Sequence, residues 1–141
     1  MFGKHQSPAK TYSRISYETE IEGADPHRLI LMLFDGALMA IASASLHMQH
    51  GEIPEKGAAI SQAITIIGNG LRASLDTQAG GDLSEKLGAL YDYMCDRLLY
   101  ANINNNRAVL DEVSGLLAEI KSAWAEIGDN PAVHPAKQAV A

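Results

Sequence analysis

The sequence predicts an all-α protein: an antiparallel four-helix bundle with a loose N-terminal arm and a disordered C-terminal tail. Three observations carry that prediction. Four stretches repeat their apolar residues at the i, i+3, i+4, i+7 spacing that lays one stripe along a helix. Each stretch is bounded by Pro, Gly, Asp or Asn where helices start or stop. No stretch shows the period-two alternation of a half-buried strand. The expected organisation is an arm over 1–24, the bundle over 25–127 and a flexible tail over 128–141.

Asp25-Pro26 opens the first helix. The aspartate can accept from a free first-turn amide, and proline at the first helical position gives up an N–H that has no partner anyway. This helix is expected to run to about His50, before Gly51. The second starts near Pro54 and runs to about Gln78, stopped by Gly80-Gly81. The third opens at Asp82 with Glu85 three residues on, a capping-box spacing, and continues to about Ile103. Asn104, Asn105 and Asn106 supply the turn, and Asn106 can cap a fourth helix from Arg107 to about Ile127. Such short connections make successive helices antiparallel neighbours. Met1 to Gly23 mixes polar residues with isolated apolar ones, and Gly128 to Ala141 holds Pro131 and Pro135 with no apolar period.

A chain of 141 residues has room for one core. The net charge is −6, and the 11 Lys and Arg are scattered singly, so no nucleic-acid partner is expected. Cys95 is the only cysteine, which excludes an internal disulfide and fits a reducing cytoplasm. The N-terminus has no hydrophobic signal core. Asp35, Gly36, Ser43 and Ser45 interrupt the most apolar run, Leu29 to Leu46, so no membrane insertion is expected.

The helices differ in how much apolar surface they must hide. Helix four has one stripe, Val109, Val113, Leu116, Leu117, Ile120, Trp124 and Ile127. Helix two is similar, with Ile60, Ile64, Ile67, Leu71 and Leu75 in line. Helix one carries the expected stripe through Leu29, Leu33, Ala37, Ala40, Ile41, Ala44 and Met48, and a second row through Leu31, Phe34, Leu38 and Ala42. A helix apolar nearly all round must be covered nearly all round, and three bundle neighbours leave one side open. The cover is the N-terminal segment, another subunit or a partner. Helix three has its core stripe at Leu83, Leu87, Leu90, Tyr91, Met94 and Leu98, with Ala89, Tyr93 and Tyr100 on the opposite side. Tyrosines away from the core are favoured contact residues at interfaces.

No catalytic constellation assembles. Gly68, Gly70 and Ala73 have a dinucleotide-binding spacing but sit late in a helical pattern, where close helix packing explains them better. His47 and His50 lack the companion ligands of a metal site. Asp92 and Asp96 read as a solvated face beside Arg97 and Lys86, and Cys95 as a structural thiol. No enzyme activity, cofactor or metal is expected. Tyr12 and Ile15 are either sporadic hydrophobes or the part of the arm that folds over an apolar helix face.

Leu90-Tyr91-Asp92-Tyr93-Met94, with Arg97-Leu98-Leu99 and Ala101-Asn102, resembles the signature of the FliS family of flagellar secretion chaperones. The likeness extends to Asp25-Pro26-His27, Met32-Leu33-Phe34-Asp35-Gly36-Ala37, Lys56-Gly57, Leu75-Asp76, Gly80-Gly81, Glu112-Val113 and Trp124. It covers about Tyr12 to Ile127. Phe34 stands where tyrosine is common in the family, and Asn106 where aspartate is common. The resemblance implies a cytoplasmic bundle that binds the disordered C-terminal segment of flagellin. Such binding blocks premature polymerisation and keeps the subunit competent for type III export. The same resemblance brings in the flagellar export gate and an anti-sigma factor as further partners. On this reading Leu31, Phe34, Leu38, Tyr93 and Tyr100 contact the client, and Tyr12 and Ile15 pack there in its absence. Asn102 is the polar anchor, able to donate and accept at once, unless it merely caps helix three. The competing reading is a self-assembling structural bundle or adaptor that does not bind flagellin, its surplus rows covered by its own copies; on the chaperone reading a homodimer can form when no client is bound.

Overall fold

The computed structural model describes residues 25–76 and 80–128. Four helices are seen: α1 (Pro26–Gln49), α2 (Ile53–Thr65), α3 (Gly81–Asn104) and α4 (Arg107–Gly128). A π-helical stretch, Ile66–Arg72, continues α2. Among the described residues there is no strand, so the predicted all-α bundle is the observed architecture. The arm and nearly all of the tail lie outside the described residues, Tyr12 and Ile15 included.

The start of α1 follows its sequence signal. Asp25 accepts from the Arg28 N–H at 2.8 Å, and Pro26 is the first helical residue. The α3–α4 turn does the same. Asn105 takes the left-handed conformation (φ 49°), and the Asn106 side chain accepts from the Val109 N–H at 3.2 Å. Asparagine tolerates that conformation better than most residues.

The α2–α3 connection departs from expectation. Helical bonding ends at Arg72, short of Gln78, with α geometry lost after Thr65. Gly68 and Gly70 lower the cost of leaving α geometry. A Cβ at Gly70 would lie 3.0 Å from a Leu33 methyl, so α1 approaches closely there, whereas Gly68 has nothing within 4 Å. The packing explanation therefore holds for Gly70 alone. Helix α3 starts at Gly81 with no side-chain cap, so Asp82 lies inside the first turn and the expected capping box is not formed. Its charge still favours the positive end of the helix. The Asp76 carbonyl ties the connection instead, accepting from the Gly80 N–H at 2.8 Å and the Ser84 hydroxyl at 3.0 Å.

The core joins Phe34, Ala37, Ile41 and Ala44 of α1 to Ile60, Ile67 and Leu71, Tyr91, Met94 and Leu98, and Leu110, Val113 and Leu117. Each large side chain so buried contributes roughly 1.5 to 3 kcal/mol. Helix α1 packs on α2, the π-helical stretch and α4; α3 packs on α4, α2 and the same stretch. Thus α1 and α3 lie on one diagonal, α2 and α4 on the other. Cross-links between opposite ends fix the antiparallel directions: His27 meets Trp124, Arg107 reaches Ser45, and Lys56 reaches Asn102.

Two core assignments change. Phe34, placed on the surplus row, is 1% exposed and central to the core. Neighbours on both sides of α1 bury a wider arc than a single stripe suggests. Leu83, placed in the core of α3, is 66% exposed. Helix α1 is also long and apolar enough to cross a membrane by length and composition, despite the polar residues that interrupt it. In this fold its buried face is packed against the other helices.

Candidate functional site

Where α1 begins and α4 finishes, the bundle opens into an apolar groove of about 360 Å³. Phe34 and Tyr91 form its depth, Leu75 and Leu87 its sides, and exposed Leu83 and Ile127 its mouth. Leu75, just past the end of the π-helical stretch at Arg72, lines the groove without covering Leu83. Burial pushes the Tyr91 phenol up to about 12, so it stays neutral at any physiological pH. Trp124, also in the wall, stacks on His27 with ring centroids 4.9 Å apart and planes 11° from parallel. The indole N–H donates to the His27 carbonyl at 3.0 Å, and His27 Nε2–H donates to the Trp124 carbonyl at 2.5 Å. This reciprocal pair fixes the groove wall to the first turn of α1.

The second surface is the outer face of α3, toward its C-terminal end. Tyr93 and Tyr100 are both exposed, as the sequence predicts. The Tyr93 hydroxyl donates to Glu112 at 2.5 Å, and Arg97 donates to the other oxygen of the same carboxylate at 3.0 Å. Tyr93 and Arg97 hold the Glu112 carboxyl below its usual range, while the Glu112 bond raises the Tyr93 phenol. The Arg97 guanidinium lies over the Tyr100 ring, 5.0 Å from its centroid. Both tyrosines are therefore held by these contacts and remain partly exposed.

Asn102 is half-buried beside them. Its backbone carbonyl accepts from Lys56 Nζ at 2.9 Å, and Asn105 rather than Asn102 closes the helix. The capping alternative for Asn102 is not what the fold uses. Two exposed apolar residues on this face are not anticipated by the sequence: Leu99, half exposed, and Ile103, 79% exposed. Their spacing of four residues on the far side of the Tyr91, Met94, Leu98 stripe was the available signal. Of the remaining predicted residues, Leu31 and Leu38 are half-buried on α1, with Leu38 packed against the core. Phe34 reaches outside only as the depth of the groove. The fold thus gathers Phe34 at one end and Tyr93, Tyr100 and Asn102 toward the other.

The polar clusters are accounted for structurally. His47 pairs with Glu52 at 2.8 Å. Asp92 pairs with Arg72 at 2.7 Å, in place of the Arg97 and Lys86 neighbours suggested by the sequence. Burial pushes the Cys95 thiol up, with Asp92 and Asp96 adding to the effect, and it donates weakly to the Ile64 carbonyl at 3.8 Å. Among the described residues no three His, Cys, Asp or Glu side chains form a metal-binding group.

Residues 8–131 match the family described as "Flagellar protein FliS". The chain is 47% identical over 121 residues to the flagellar secretion chaperone FliS of Salmonella typhimurium, a match covering 86% of this chain and 90% of that protein. It is 49% identical over 115 residues to the flagellar secretion chaperone FliSB of Pseudomonas aeruginosa, covering 82% and 90%. The Bacillus subtilis FliS is 34% identical over 119 residues, covering 84% of each chain. With the helical bundle and its apolar surfaces, these matches establish that the chain belongs to the FliS family of flagellar secretion chaperones, a family of chaperones and not of enzymes.

Proposed function

We propose that this chain binds the disordered C-terminal segment of flagellin in the cytoplasm, prevents its premature polymerisation and keeps it competent for flagellar type III secretion. The observation that carries this reading is the apolar surface the bundle leaves open at two separated places on α3. The groove mouth at Leu83 and the exposed Ile103 are a helix length of about 30 Å apart. A disordered segment crosses that distance with about nine or ten extended residues and can seat apolar side chains at both places. Each large side chain buried there contributes roughly 1.5 to 3 kcal/mol, against an ordering cost on the order of 2 to 5 kcal/mol or more. Several anchors are needed, and both surfaces supply them. Asn102, beside Ile103, pairs with the client backbone at that end, and Tyr12 and Ile15 of the arm cover the same surfaces when no client is bound.

Calorimetric titration with a flagellin C-terminal peptide tests the reading. The parent chain binds it, and Asn102→Ala and Tyr100→Ala bind it more weakly while keeping their helical content. An affinity unchanged in both variants would remove the α3 face from the site. No heat of binding with the parent chain would remove flagellin as the client.

A further inference from the structure

Among the described residues Lys56 is the one buried charged side chain, 3% exposed near the start of α2. A buried ammonium is costly unless its donors are satisfied. Among the described residues this one forms no ion pair with a carboxylate. Both acceptors lie at the end of a different helix: the Asn102 carbonyl at 2.9 Å and the Asn105 side-chain oxygen at 2.5 Å. That end of α3 carries the negative pole of its dipole and carbonyls with no helical partner. Lys56 is thus a cationic cap delivered to α3 from α2.

The turn that Lys56 caps also carries the exposed apolar side chains of the α3 face. Leu99, Tyr100 and Ile103 project from it, and Asn102 is itself one of the two residues held. Asn105 is the left-handed residue that ends the helix, so Lys56 fixes the conformation of the stop as well as the last turn. For stability alone a well-packed apolar side chain of similar volume would serve as well or better, because it brings no charge to desolvate. A lysine is suited to order the end of a helix that is exposed on its outer side.

We infer that Lys56 is a positioning residue for client binding: it keeps the last turn of α3 formed, so that Leu99, Tyr100, Asn102 and Ile103 meet the client as one ordered surface. This rests on the flagellin reading for the identity of the ligand. The ordering of α3 is separately measurable. A client that binds only the ordered turn has its apparent affinity reduced by the fraction of molecules in which that turn is formed.

Two variants test this, each measured by amide hydrogen exchange, thermal unfolding and titration with the flagellin C-terminal peptide. Lys56→Met keeps chain length and removes the charge. Asn105→Gly keeps the left-handed turn and removes one acceptor. In Lys56→Met the bundle stays folded, exchange at Asn104 to Asn106 accelerates, and affinity falls about tenfold, as it does when only one molecule in ten is competent. Asn105→Gly loses less, and Lys56→Arg, which keeps the charge, recovers part of the loss. Parent-like affinity in Lys56→Met overturns the inference. So does an equal loss in Val113→Ala at a matched drop in melting temperature, because the effect would then be one of overall stability. If Lys56→Met does not fold, Asn105→Gly and Lys56→Arg decide by the same measurements. If the parent does not bind the peptide, the flagellin reading fails, while unchanged exchange at Asn104 to Asn106 would still refute the ordering role.

Discussion

Tyr93 and Tyr100 lie two turns apart on α3 and do different work. Tyr93 has its hydroxyl committed to Glu112, whereas Tyr100 offers its ring with Arg97 over one face. Truncating Tyr100 to alanine should change stability by no more than about 0.5 kcal/mol, as surface changes usually do. Its effect on peptide binding should reach about 2 kcal/mol if it is a hot spot. Phe34→Ala should do the reverse, costing about 3 to 5 kcal/mol of stability, because that ring fills the core. Chemical denaturation and calorimetry on the same two variants separate the roles. Glu112 gives a pH test. Its folded pKa lies below the ordinary 4.5, so its contribution is complete above that value and is lost as the pH falls through the lowered one. An NMR titration should place its midpoint below 4.5, and Tyr93→Phe should move it up. The sequence revealed both tyrosines because they stand clear of the core stripe. It hid Leu99 and Ile103 among leucines and isoleucines that look the same whether buried or bare.

Helix ends decided by local chemistry were readable, and those decided by tertiary contacts were not. Asp25-Pro26 and Asn106 act on amides within three residues, and both do what their spacing implies. The end of α2 depends on the approach of Leu33 to Gly70, and the start of α3 on the Asp76 carbonyl, neither of which leaves a mark in a window of sequence. A Cβ at Gly80 would come 2.7 Å from that carbonyl and closer still to the Ser84 side chain, so Gly80→Ala should cost about 1 to 3 kcal/mol. Gly57 lies inside α2 with nothing within 4 Å of a Cβ. Gly57→Ala should therefore stabilise by about 0.4 to 1 kcal/mol, since the helix accepts alanine readily. Urea unfolding of the pair checks both signs, and a loss at Gly57 would mean that its face is occupied.

At the scale of the whole bundle, the four described helices bury a shared core and leave apolar side chains exposed, among them those at the groove mouth and on the outer face of α3. The fold class was legible because periodicity and helix stops are repeated four times along the chain. The groove was not, because the helical wheel of one helix says nothing about how far its neighbours reach round it; Phe34 on α1 and Leu83 on α3 were misplaced for that one reason. A client that binds only the folded bundle must raise its stability, by about 2.7 kcal/mol at a free concentration one hundred times its Kd. Thermal scans with increasing flagellin peptide should show the melting temperature rising with concentration, and a flat series would count against the folded bundle as the binding form.

The stacked pair that closes the groove has a practical consequence. Trp124 is the only tryptophan in the chain and forms part of the groove wall. Its emission is therefore an optical gauge built into one end of the molecule. A ligand seated beside it should shift the spectrum, while one confined to the Ile103 end should leave the spectrum alone, so a single cuvette measurement can tell which end a client reaches first.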